Sequence, residues 1–382
     1  METVAIRRSE RELLNEEVED WIRDAARGER FEPTVVWEHD GHEYTATFTR
    51  LPAEGSMDLE EAIVAISTER NGSRFSTQMR LRRLAFSHFA QFVDQWDPDV
   101  QIHDDEIGGR FHSNSEIYVS SEGGVKPLFR GKVTTARGVS SPSSSRRIVR
   151  RDMFLGGLET RAGRIPLPKP FESLGVDKRD DGAAHVFSKD TAITFYADGS
   201  YGFRPVESGG AEQRRALPAE PVLIAGAEDV VLHVEGVVNG QVLVYAPKEI
   251  VIDGDLVYAA DPRRFPDSDD YLGLVSDGNV EVAPPDVTGP GDLEIDAAIY
   301  AKRRFVIDRY RHRERATLSI YGSLTAGSLS ATEPRYRTRL EFDPRLEEVR
   351  PPRFPMTGRF EVASWNGEWT VEPTAEPTLA IE

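Results

Sequence analysis

The chain has 382 residues, 39% of them hydrophobic, which is enough for two or three domains with buried cores. Its 65 acidic residues outweigh 47 basic ones, giving a formal charge of −18, and that balance disfavours sequence-independent binding to nucleic acid or to anionic membrane surfaces. With no cysteine, disulfides, thiolate metal sites, iron–sulfur clusters and a cysteine nucleophile are excluded.

Residues 9–29 carry a helical period. Leu14, Val18, Trp21 or Ile22, and Ala25 form one stripe, and Glu12, Glu16, Glu17, Glu19 and Asp20 line the other. Ser9 with Glu12 reads as a capping-box start and Gly28 as a stop. The stripe must rest on something, and the small β unit that follows is the nearest surface. Leu14, Val18, Trp21 and Ile22 are the candidates for docking a partner subunit.

That β unit opens with Thr34-Val35-Val36-Trp37, turns at Asp40-Gly41 and returns as Tyr44-Thr45-Ala46-Thr47-Phe48-Thr49, a hairpin signal. A third strand over residues 61–68 leads through Asn71-Gly72 to a fourth over 75–80. Residues 81–96, rich in Leu and Phe, form a junction. Short strands broken by small polar turns follow, over 107–119 and 127–135. The serine-rich 140–145, followed by Arg146, Arg147, Arg150 and Arg151, predicts a mobile loop. Prolines 166, 168 and 170 predict an extended segment, and Asp198-Gly199 sits between strands 191–196 and 201–203 as a second hairpin.

From about 230 to 329, alternating strands and tight glycine turns recur, with Gly254, Gly278 and Gly322 spaced 24 and 44 residues apart. A period near 22 fits one coil of a β-solenoid. Because residues two apart share a face, Ile250/Ile252, Leu256/Tyr258, Val280/Val282, Leu293/Ile295 and Leu318/Ile320 are expected inside. Asp-Gly and Asn-Gly also mark ordinary hairpins, so a β-meander or sandwich is the alternative. The fold expected is mainly β: an irregular right-handed parallel β-helix preceded by a small α+β unit with an N-terminal amphipathic helix. The expected divisions are 1–98 for the helix and small sheet, 99–335 for the solenoid, and 336–382 for a Pro/Arg-rich cap with a tail over the last dozen residues.

Several motifs appear in one order: His112-Ser113-Asn114; residues 127–134; Ile193-Thr194-Phe195-Tyr196-Ala197-Asp198-Gly199-Ser200; Asp253-Gly254-Asp255-Leu256-Val257-Tyr258; Phe342-Asp343-Pro344-Arg345-Leu346; Pro351-Pro352-Arg353-Phe354-Pro355; and Val362-Ala363-Ser364-Trp365. Between about 81 and 365 this order resembles a PilX-like, type IV pilus-associated bacterial envelope family of unknown function. The resemblance implies a non-enzymatic accessory or minor-pilin-like role, other pilus or envelope assembly subunits as partners, and a location in the envelope, periplasm or exterior. Family members usually carry a pilin-like hydrophobic anchor helix, so membrane contact is expected only through such an anchor, which is missing here. The family brings no catalytic residues.

Chemistry-bearing clusters are few. His103-Asp104-Asp105-Glu106 with His112 lacks the paired spacing of a transition-metal site, and a solvated acidic loop is the expectation. His39 and His42 flank the Asp40-Gly41 turn as surface residues. Asp267-Ser268-Asp269-Asp270 offers hard oxygens without the EF-hand pattern, leaving calcium as the one cofactor to consider and otherwise none. Asp253, Asp255, Asp277, Lys302 and Arg304 would line one edge of a polysaccharide-binding or polysaccharide-cleaving β-helix, or serve simply as turn residues. A self-polymerising solenoid is the third reading. The basic runs at 303–304 and 309–315 are expected to pair with carboxylates or face solvent, and no Walker loop, dinucleotide fingerprint, nucleophile elbow or zinc motif is present.

Overall fold

Positive φ at both Asp40 (46°) and Gly41 (76°) makes the first turn the mirror-image type that matches strand twist, and it sets Thr34–His39 antiparallel to His42–Leu51. Asn71 and Gly72 repeat the device, at 50° and 71°, between Glu61–Arg70 and Ser73–Ala85. The computed structural model describes residues 8–25, 32–141, 150–168, 184–207, 210–311 and 315–373. The expected stop at Gly28, most of the serine/arginine loop, and the tail beyond 373 lie outside these.

The chain divides into two units, Met1–Leu84 with Gly358–Glu382, and Ala85–Thr357. The expected boundaries at 98/99 and 335/336 therefore differ from the observed ones. Among the described residues, 336–373 form no separate cap. Tyr336–Phe342 pairs with Ala316–Leu329 on one side and Glu106–Ile107 on the other. Thr370–Pro373 instead joins Ser73–Ala85 in the first sheet.

In the first unit the helix is Arg8–Ala25. Since Arg8 is already helical, Ser9 lies inside the helix and is not its cap. Leu14, Val18 and Ile22 are buried against Tyr44, Ala46, Val64 and Ile66, while Trp21 stacks on Trp37 with centroids 4.3 Å apart. The apolar stripe is thus spent on the sheet of its own unit. Leu14, Val18 and Ile22 have no surface left for a partner, which corrects the docking expectation for them.

The second unit is built on long ladders of parallel pairs. One runs from Ala184–Phe187 through Val222–Gly226, Gln241–Ala246 and Tyr271–Ser276 to the middles of Leu293–Ile307 and Ala316–Leu329. It then continues into the chain's earlier part: Gln91–Val93, Phe111–Ser113, Val133–Thr135 and Leu158–Thr160. Another passes from Thr191–Tyr196 through Val231–Val238, Glu249–Tyr258 and Asn279–Val282 to Phe305. A third joins Leu256, Ile295, Ile320, Leu340, Ile107 and Phe129. All ten side chains expected inside are buried.

The stacking order is not the sequence order. Next to Ala316–Leu329 the adjacent level is shared: Gln91–Val93 fills it in one ladder and Tyr336–Phe342 in another. The two chain ends of this unit thus meet in the middle of the stack. Residues 161–168 run back along it, with Ala162 N–H donating to Thr135 (3.0 Å), Ile165 N–H to Asn114 (2.7 Å), and the Tyr300 hydroxyl to Pro168 (2.8 Å). From Thr135 to Tyr300 is four levels, about 19 Å at strand spacing. Six fully extended residues span about 20 Å, so the arm is straight, as its prolines predict.

The glycines do not recur at one place in each level, contrary to the expected period. Gly322 stands opposite Ala297, whereas Asn279, just after Gly278, stands opposite Arg304 and then Ser328. Gly278 and Gly322 therefore occupy different places in the repeat, and their separation does not count levels.

Candidate functional site

A cavity of about 230 Å³ lies at the shared level. Trp96, Ile107, Leu318, Ile320, Leu324 and Leu340 are among its apolar lining, and His103, Asp105, Glu333 and Thr338 among its polar lining. Its position follows from the topology, since side chains from Gln91–Val93, the loop after it and Tyr336–Phe342 close a layer that a single continuous segment fills elsewhere. Trp96 is fixed by its indole N–H, which donates to the Val100 carbonyl at 2.6 Å.

Asp105 is the chemically distinctive group. Burial pushes its carboxyl up to about 7, and the nearby carboxylates of Asp104 and Glu333 push the same way against hydrogen bonds from the His103 backbone and the Thr338 hydroxyl. Near neutral pH it is divided between acid and carboxylate, so it can give a proton to, or take one from, a group in the cavity.

Asp104, His103 and Glu333 form a ligand-type cluster, with one atom of each within 4.8 Å of the others. Cations already answer it. Arg315 approaches Glu333 at 3.3 Å and Asp104 at 3.7 Å, and Arg337 approaches Asp104 at 3.7 Å. The His103 Nε2 faces the Glu122 carbonyl at 2.9 Å. The solvated loop expected here is instead a half-buried ion-pair network. His112 does not join it, being held between Thr134 (2.7 Å) and Asn114 (3.0 Å) and stacked on Phe92.

The row of groups proposed for a solenoid edge does not converge. Asp253 meets His233 at 3.0 Å, Asp255 accepts the Glu294 N–H at 2.8 Å, Asp277 accepts the Tyr245 hydroxyl at 2.7 Å, and Arg304 meets Asp97 at 3.0 Å. Each ties one segment to another. Asp270 likewise accepts the Gly240 and Ala260 N–H groups at 2.7 and 2.9 Å, so the calcium-type loop spends its last carboxylate on backbone. In the 309–315 run, Arg309 pairs with Asp286 at 2.6 Å and Arg315 with Glu333, as expected of such runs.

Sequence reasoning did not find Asp105 with Glu333, because nothing local reports a contact made across the shared level. It also missed Arg345, which is clamped by buried Asp343 at 2.7 Å and lies over the Tyr271 ring.

No family model matches the chain. No curated protein matches it either. Among solved structures it is similar to the competence-associated pilin ComZ from Thermus thermophilus, with 14% identity, 98% of this chain and 100% of that chain covered, and a TM-score of 0.34. Among the described residues, no helix is long and apolar enough to cross a membrane.

Proposed function

We propose that this chain is a non-enzymatic structural component of a bacterial cell-envelope assembly of the type IV pilus kind, an accessory subunit whose second unit coils as a right-handed parallel β-helix. The observation that supports the reading is the continuity of the parallel ladders, which make a stiff body from short strands. The groups that a carbohydrate-active β-helix gathers in one groove are here bound singly, as the separate partners of Asp253, Asp255, Asp277 and Arg304 illustrate. The partners are other subunits of the assembly, and the location is the envelope or exterior. Docking falls to surfaces other than the buried stripe of Leu14, Val18 and Ile22.

The test is fractionation of native cells carrying a tagged chromosomal copy, together with a deletion strain. The reading expects the tagged chain in envelope or sheared-filament fractions and fewer filaments after deletion. A cytosolic chain with unchanged filaments contradicts it. A second reading, a glycan-binding or glycan-cleaving β-helix, draws on Asp105 beside Asp104 and Glu333. It predicts hits on a glycan array that Asp105→Asn removes.

A further inference from the structure

Where the helix of the first unit crosses the tip of the first hairpin, three ligand-type groups converge. A carboxylate oxygen of Glu17, an imidazole nitrogen of His39 and a carboxylate oxygen of Asp40 all lie within 4.8 Å of one another. The local sequence explains the placement. Glu17 sits between Leu14 and Val18 on the sheet-facing side of the helix. His39 shares a strand face with Trp37, two residues before it, and Asp40 is held at the turn by its left-handed φ of 46°.

The two carboxylate oxygens of Glu17 are bound unequally. Its side chain is only 2% exposed. Its Oε2 takes both the Tyr44 hydroxyl and the Arg70 guanidinium, whereas its Oε1 is buried with no hydrogen-bond partner. A buried carboxylate oxygen left bare is costly. On the other side, His39 Nε2 and Asp40 Oδ2 stand 4.0 Å apart, too far for a hydrogen bond. The three groups thus come together with one Glu17 oxygen unpartnered, while Tyr44 and Arg70 hold the carboxylate in place through its other oxygen.

We propose that Glu17, His39 and Asp40 bind one divalent transition-metal ion of the Zn²⁺ class, with water completing the coordination. One nitrogen and two carboxylates make the three-ligand, open-position set that suits zinc, whereas calcium needs six or more oxygens. Two carboxylates outweigh the single guanidinium of Arg70. Ligand atoms around a tetrahedral Zn²⁺ stand roughly 3.4 Å apart given bonds near 2.1 Å, so separations of up to 4.8 Å must close by up to about 1.4 Å. Asp40, with its side chain 79% exposed, has the freedom to do this. The ion would pin the helix to the hairpin.

The full chain, free of any histidine tag, is titrated with Zn²⁺ by calorimetry while imidazole resonances are followed by NMR. The proposal expects one saturable site per chain, a selective shift of the His39 ring, a higher melting temperature, and an affinity at least tenfold weaker in His39→Ala. Glu17→Gln should weaken binding as well. Because that change also disturbs Arg70, the half-buried His39→Ala, which leaves the Glu17–Arg70 pair intact, decides. Absence of saturable uptake, an unchanged affinity in His39→Ala, or equally tight uptake of Mg²⁺ would overturn it.

Discussion

Replacing Asp105 by Asn tests the electrostatics of the cavity. With a carboxyl moved from 3.8 to about 7, the folded protein holds a proton that the unfolded chain has already released between those two pH values. Its stability therefore falls as pH rises across that window, by ~1.4 kcal/mol per pH unit. The full penalty, reached above pH 7, is about 4 kcal/mol, and solvent screening of a group that is not wholly buried reduces it to a floor of about 2 kcal/mol. Asn mimics the protonated acid and cannot ionise. Denaturant unfolding followed through the second unit should show Asp105→Asn and the parent equal near pH 4, and the variant more stable by about 2–4 kcal/mol at pH 8. A variant less stable at pH 8, or a difference independent of pH, would refute the reasoning.

Three further outcomes follow from the same structure. Gly322 has φ of 140°, and a Cβ there would run into the Ala297 carbonyl of the neighbouring level; Gly322→Ala should cost upward of about 3 kcal/mol, read from the denaturant midpoint. In the first unit, Arg70→Met leaves Glu17 buried and uncompensated and should destabilise by about 3–5 kcal/mol, while adding Glu17→Met recovers most of the loss; equal losses in single and double variants would speak against a coupled pair. The Asp253 carboxylate raises the pKa of His233 chiefly through their hydrogen bond, so NMR titration should place His233 above an ordinary histidine and Asp253→Asn should lower it. The stability this pair contributes is full below the ordinary histidine value and lost as pH rises through the raised one.

Local signals in the chain were legible where two neighbouring segments decide the structure. The Asp40-Gly41, Asn71-Gly72 and Asp198-Gly199 turns form hairpins, and strict alternation placed residues such as Ile250, Val280 and Leu318 inside. What depends on which strand meets which was not legible. No periodicity reports that Gln91 stands beside Leu324, since both are simply strand residues with a buried face. The misreading of Gly278 and Gly322 has the same origin: a glycine marks a tight approach of backbone, and different corners of the stack need one. The expected cap failed because Tyr336–Phe342, charged on alternate residues, has Tyr336 and Leu340 on its buried face. Asp105 read as a loop carboxylate because the residues that press on it include Glu333, brought beside it only by the shared level.

The pairing of Gln91–Val93 with Ala316–Leu329 carries the account, because it places the cavity and sets the stacking order. The protein has no cysteine, so Val93→Cys with Ala326→Cys gives a clean cross-link: the two positions face each other in register, and parallel neighbours lie about 4.8 Å apart, within disulfide reach. Mild oxidation of the folded double variant should form that bond, seen as a linked peptide by mass spectrometry, while Val93→Cys with Val238→Cys should form none. A folded Val93→Cys, Ala326→Cys variant whose two introduced thiols stay unlinked would contradict the shared level.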